Sequence, residues 1–160
     1  MCYNKAYLTK RAEKLAKRYG HDESEVRFVQ EQLIKLNISP VYNASGFNHP
    51  SVPVIISKSK EIHLFSWGLI PNWVKSAVEA VTISNSTINA RAETMFDKSA
   101  FRESAHERRC LVLVDGFFEH HHKNGKAFPY HIHLKSDEPI TLAGLWDEWV
   151  DSASGITRRT

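Results

Sequence analysis

Arg109-Cys110-Leu111-Val112-Leu113-Val114-Asp115-Gly116-Phe117-Phe118 contains the most apolar run of the chain. Lys123-Asn124-Gly125-Lys126 follows it, and the pattern returns through Phe128 to Leu134. A short unbroken run of valines and leucines bounded by turn residues reads as a buried strand. Asn-Gly suits two consecutive left-handed backbone positions, which makes it the strongest short signal for a two-residue hairpin. On the C-terminal side, Ile140 to Trp146 makes one more strand. On the N-terminal side, Val52 to Ile56 and Ile62 to Trp67 flank the polar Ser57-Lys58-Ser59-Lys60 and read as a second hairpin. Two helical patterns precede them. Thr9 to Tyr19 spaces Leu8, Ala12, Leu15, Ala16 and Tyr19 on one face and stops at Gly20. A second pattern starts near Asp22 or Ser24, runs through Val26, Val29, Leu33, Ile34 and Leu36, and closes before Pro40. This pair reads as a helical hairpin with solvated charges, and Thr94 to His106 as a further helix. The expected class is α+β: a mostly antiparallel sheet or barrel carrying peripheral helices.

The 160 residues suffice for one ordinary domain. Twenty-one Lys and Arg against 18 Asp and Glu leave a formal charge of +3, which permits an anionic partner without demanding one. Hydrophobic residues at 42% and charged ones at 24% exclude a disordered or collagen-like chain. Two cysteines, Cys2 and Cys110, cannot build a disulfide framework. The start of the chain has no apolar signal region, and nothing in it is long and apolar enough to cross a membrane. The expectation is a soluble monomer in a reducing cytoplasm, with no cofactor.

Cys2 becomes an N-terminus if Met1 is removed. Its amine, with an ordinary pKa of about 7.7–8.0, is then partly unprotonated near neutrality. Such an amine condenses with an aldehyde to an imine, and the neighbouring thiol can close on the imine carbon as a thiazolidine. Position alone also suits a small residue in an N-terminal strand. Trp67-Gly68-Leu69-Ile70-Pro71-Asn72-Trp73 brackets a Gly/Pro turn with two indoles; one fits core packing, and an exposed one can stack on a base. In Asn89-Ala90-Arg91-Ala92-Glu93-Thr94, an extended backbone would place Asn89 and Arg91 on one face. Arg91 then either forks onto a phosphate or pairs with Glu93. Glu119, beside Phe117 and Phe118, is either a carboxyl raised by desolvation for proton transfer or an exposed strand-end residue.

Met1-Cys2, the Tyr42-Asn43-Ala44 turn, Trp67 to Trp73, Asn89 to Thr94, Arg109-Cys110-Leu111, Gly116-Phe117-Phe118-Glu119, Pro129-Tyr130 and Ala143-Gly144-Leu145-Trp146 occur in an order that resembles the SOS response-associated peptidase family. The resemblance implies a sensor of abasic sites in single-stranded DNA that links an N-terminal Cys covalently to the opened sugar, with an autoproteolytic peptidase activity. Carried over, Cys2 is the nucleophile, Asn89 holds the thiol or the sugar, and Glu119 moves protons. Arg91 binds the flanking phosphate, while Trp67, Trp73 and Asn43 contact DNA. Tyr3-Asn4 stand where the family usually has Gly-Arg, and His120 where it has Trp. The family's His-x-Arg-Met-Pro segment is absent, so the expectation is one domain over residues 1–160, cut short at its C-terminus. Three other readings remain: a non-covalent single-strand binding module, a thiol peptidase acting on other proteins, and a metal site in which His121 joins His131 and His133.

Overall fold

The computed structural model describes residues 4–7, 14, 18, 23–37, 41–57, 59, 61–136 and 138–160. These form two compact units. One comprises residues up to Ser45 together with Leu113–Leu142; the other comprises Gly46–Val112 together with Ala143–Thr160. The class is α+β, with mostly antiparallel sheets and a few helices.

The first unit holds a four-stranded sheet in the order β2-β1-β6-β7, where β1 is Asn4–Tyr7, β2 Val41–Ser45, β6 Gly116–Lys123 and β7 Lys126–Ile132. The helix α1, Glu23–Lys35, matches the second helical pattern. The first pattern, Thr9 to Tyr19, lies outside the described residues apart from Lys14 and Arg18. Asn124 and Gly125 take φ of 51° and 72°, the two positive values of a type I′ turn, and close β6 onto β7 from Phe117↔Ile132 to Lys123↔Lys126. The buried strand expected over Cys110 to Val114 is present as Arg109–Val114. It ends at Asp115, whose N–H donates to the Ala6 carbonyl at 2.8 Å, and β6 begins at Gly116 beside β1. Tyr42-Asn43-Ala44, by contrast, is not a turn. It lies within β2, and the step from Lys5↔Ala44 to Tyr7↔Val41 shows one extra residue on β2. The polar, irregular look of that tripeptide comes from a bulge.

The second sheet runs β4-β3-β5-β8, with β3 at Ser51–Ile56, β4 at Ile62–Ser66, β5 at Arg109–Val114 and β8 at Ile140–Leu145. The expected hairpin β3–β4 pairs Ser51↔Ser66 through Ile55↔Ile62. A separate ribbon pairs β9, Glu148–Val150, with β10, Thr157–Arg159. Two helices complete the second unit. In α2, Ala77–Ser86, the Ser76 side chain caps the Glu79 N–H at 3.2 Å. The third, α3, spans only Ser99–Glu107, because the residues after Arg91 form tight turns before it. Ile70, Val74, Ala80 and Trp149 make a buried cluster with Ile83 against it. Among the described residues, no helix is long and apolar enough to cross a membrane.

Candidate functional site

In the first unit, β1 runs antiparallel to β6 with Asn4 opposite Phe118, so its N-terminal end points along β6 toward Glu119. Cys2 itself lies outside the described residues. The Glu119 carboxyl is held below the ordinary carboxylate range, first by a hydrogen bond with the chain's N-terminal ammonium; burial works in the opposite direction. The expected rise through desolvation is therefore reversed. The desolvation is present, but the positive charge of the N-terminus outweighs it. The result is a carboxylate that stays ionised and favours a cationic amine beside it. Asn43 accepts a 2.6 Å hydrogen bond from the Asn4 amide. Because Asn4 shares a face with Phe118, and Glu119 projects to the other face, the sheet does not gather Asn43 with Glu119.

In the second unit, the two indoles of the Trp67–Trp73 loop part company. Trp67 is only 6% exposed, and its Nε1–H donates to the Ile88 carbonyl at 2.8 Å. A ring packed in this way cannot stack on a base, so the role expected for Trp67 becomes one of position: it fixes the residue preceding Asn89. Trp73, 45% exposed, keeps an open face. Gly68 takes φ of 118°, and a Cβ there would fall 2.6 Å from His49 Nδ1 and 2.9 Å from the Ser84 carbonyl oxygen. Only glycine fits that corner. His49 Nδ1–H donates to the Trp67 carbonyl at 2.7 Å, and Thr87 Oγ1 donates to the Leu69 carbonyl at 2.6 Å. The loop and residues 87–89 are thus tied together from both sides.

Asn89 and Arg91 do not lie in a strand. The Arg91 carbonyl accepts from the N–H groups of Thr94 and Met95 at 3.1 and 2.9 Å, which starts a turn. The Asn89 Nδ2 is buried and finds no hydrogen-bond partner among the described residues. A buried amide donor left open costs roughly 1–3 kcal/mol, so this one suits an incoming acceptor. Arg91 is exposed and makes no ion pair among the described residues, with Glu93 or any other carboxylate. It is a guanidinium available to an anion.

Asp147 was not legible as a candidate. It is 2% exposed and accepts from the Asn72 N–H at 3.1 Å and the Glu148 N–H at 2.8 Å, with Arg108 Nε at 3.5 Å. Burial pushes its carboxyl up, against those hydrogen bonds and the Arg108 charge. Arg108 also bonds Glu103 at 2.8 Å, and Glu103 accepts from the Asn72 side chain at 3.0 Å. Asp147 therefore anchors the loop that bears Trp73. Its one local signal is an acid directly after the apolar Leu145-Trp146.

The histidines do not assemble as a metal reading requires. His121 pairs with Phe128 and meets Tyr130 edge-on, whereas His131 pairs with Phe118 on the opposite face and stacks on His133. Among the described residues, no three His, Cys, Asp or Glu side chains gather so as to hold an ion.

The sequence profile described as SOS response associated peptidase (SRAP) matches residues 1–160. The chain is 33% identical over 111 residues to the abasic site processing protein YoaM of Bacillus subtilis, covering 69% of this chain and 47% of that one. It is 30% identical over 129 residues to the abasic site processing protein YMR114C of Saccharomyces cerevisiae, covering 81% of this chain and 34% of that one. A crystal structure of a Bacteroides thetaiotaomicron protein superposes with a TM-score of 0.81 at 36% identity, covering 99% of this chain and 66% of that chain. The chain spans about half the length of the bacterial relatives it matches, or less.

Proposed function

Because this chain belongs to the SOS response associated peptidase family, we propose that it processes abasic sites in single-stranded DNA by covalent capture through Cys2. The observation that carries this reading is the pairing of β1 with β6, which directs the N-terminal end of β1 toward Glu119, a carboxyl that positive charge at the N-terminus lowers. That cation is the Met1 amine; removal of Met1 takes it away and frees a new N-terminal amine on Cys2, one residue nearer β1. Glu119 takes the ammonium proton, and the freed amine adds to the opened sugar aldehyde to give a carbinolamine. The proton returns to the carbinolamine hydroxyl, which leaves as water and gives the imine. The Cys2 thiol then adds across the C=N bond, sulfur to carbon and proton to nitrogen, closing a thiazolidine. The whole sequence releases one water.

The remaining residues bind and orient. The open Asn89 Nδ2 donates to the sugar oxygen or holds the thiol, and Arg91 forks onto the flanking phosphate. Trp73 offers a stacking face to a neighbouring base, with Trp67 holding Asn89 in place behind it. Asn43, bonded to Asn4, steadies β1 and contacts DNA at the sheet edge. The peptidase activity of the family would remove residues preceding Cys2; for Met1, ordinary methionine excision suffices. On this reading the protein works in the cytoplasm as a monomer, on the nucleoid if its host is bacterial.

Protein beginning at Cys2, mixed with an abasic oligonucleotide, is expected to give a heat-stable adduct. Its intact mass equals the two components less one water. Cys2→Ala is expected to give none. A normal adduct yield from Cys2→Ala would discard the mechanism, and tight binding with no adduct from the unaltered protein would leave a non-covalent module. Arg91→Ala should weaken binding and lower the salt dependence by about 0.7 in the log–log slope.

A further inference from the structure

Beyond His121, nothing covers the β6–β7 hairpin among the described residues: every residue from 120 to 136 is exposed. The pairing register sorts its side chains cleanly. Phe118, His120 and His122 share one face with Ala127, Pro129 and His131. Phe117, Glu119, His121 and Lys123 share the other with Ile132, Tyr130, Phe128 and Lys126. The first face is partly self-satisfied, since Phe118, His131 and His133 stack in succession at 4.8 and 5.1 Å. The second begins at the carboxylate of the proposed chemistry and runs outward through open aromatic rings to a cationic tip. Phe128 is 44% exposed and Tyr130 57%. They stand two residues apart on β7, so their rings repeat at about 6.7 Å along the strand. His121 braces Tyr130 edge-on with ring centres 6.2 Å apart.

The charge of the segment is one-sided. Residues 116–135 carry three lysines, five histidines and one acid, Glu119 at the inner end. With His neutral that is +2, against +3 for the whole chain. An apolar protein partner has no use for this balance, whereas a polyanion with flat faces matches it: rings for the bases and lysines for the phosphates.

We infer that this face of the β6–β7 hairpin is a track for single-stranded nucleic acid, along which the strand flanking the abasic site stacks its bases on Tyr130 and Phe128 and sets its phosphates against Lys123 and Lys126. The inference rests on the single-strand reading above and assigns that strand a path leading away from Glu119.

The test uses the full chain and an undamaged oligothymidylate, followed by fluorescence anisotropy across a salt series. Phe128→Ala combined with Tyr130→Ala should weaken binding by roughly 5- to 150-fold per ring lost. Lys123→Ala combined with Lys126→Ala should lower the log–log salt slope by about 1.4. Melting by circular dichroism should be unchanged for the lysine pair, which keeps the test valid if the aromatic pair disturbs the strand. Wild-type affinity in the aromatic pair together with a wild-type slope in the lysine pair would overturn the inference. So would a change in sedimentation with DNA affinity intact, because the hairpin would then be a contact between copies of the chain. Crosslinking separates this proposal from capture at Cys2. Hairpin variants that crosslink fully at saturating abasic oligonucleotide but bind undamaged strand weakly support the track. A wild-type protein that binds through the hairpin and never crosslinks sinks capture while the track stands.

Discussion

The Trp67–Trp73 loop and the β6–β7 hairpin are both glycine-turned, aromatic segments, and they are held in opposite ways. The loop is tied at nearly every step: Trp67 to Ile88, Leu69 to Thr87, Ile70 to Thr160, and Asn72 to Asp147 and Glu103. The hairpin has its own ladder and one turn, and past Glu119 its side chains face solvent. Rigidity suits the role proposed for Asn89, a donor that would have to meet a reacting sugar within a fraction of an ångström. Exposure suits the role proposed for the hairpin, gathering a flexible polymer in many sequences and shapes. The contrast assigns positioning to the loop and capture to the hairpin, and each assignment can be broken separately.

The loop's anchor should fail hardest. Asp147→Ala removes the acceptor of two backbone N–H groups and leaves Arg108 without its buried partner, at a cost of about 3 kcal/mol. For a chain of this size, that lowers the melting temperature by about 6–12 °C. His122→Ala at the hairpin should stay within about 0.5 kcal/mol. Comparable losses from the two would erase the contrast. Next comes Trp67→Phe, which keeps most of the ring but orphans the Ile88 carbonyl, for about 2 kcal/mol. Amide exchange should accelerate around Asn89 and stay unchanged at the hairpin tip. Equal acceleration at both places would mean that Trp67 supports the fold as a whole and not residues 88–89 in particular.

Where the physics is local, the sequence was readable. Asn124-Gly125 needs no partner to favour its turn, and the alternating strands on either side follow from it. The end of the buried strand at Asp115 was readable from the valine and leucine run alone, whereas Tyr42-Asn43-Ala44 looked like a turn because its pairing with β1 is a contact distant in sequence. The helix α2 was missed because Val78, Val81, Thr82 and Ile83 look like strand residues, and Val78 and Val81 are in fact exposed. Ser76 followed three residues later by Glu79 was the signal that could have found it. At the site, Glu119 was visible as a residue but not in its electrostatics, since the N-terminal ammonium arrives through the pairing of β1 with β6. Asp147 was invisible because its partners lie up to 75 residues away.

Ser76→Ala tests that missed helix at a smaller scale. Loss of the cap should cost about 1 kcal/mol, read by urea melting, with the oligonucleotide affinity of the hairpin unchanged. An unchanged midpoint would mean that tertiary contacts alone hold α2.

The subtlest contrast is between two carboxyls shifted in opposite directions. Glu119 is lowered, so its pairing contributes stability that is present above its unfolded pKa, about 4.3, and is lost as pH falls through the folded value. Asp147 is raised, so its contribution is full below its unfolded pKa, about 3.9, and is lost as pH rises through the folded value. Melting Glu119→Gln and Asp147→Asn beside the wild type from about pH 3 to 7 reads both signs. Wild type should gain on Glu119→Gln as pH rises and lose ground to Asp147→Asn over the same range. Acetylating the N-terminus removes the cation and should abolish the first trend alone, because Asp147 is raised by burial and not by the amine. If acetylation leaves the Glu119 trend intact, the ammonium is not its partner, and the proton transfer proposed for the amine loses its acceptor.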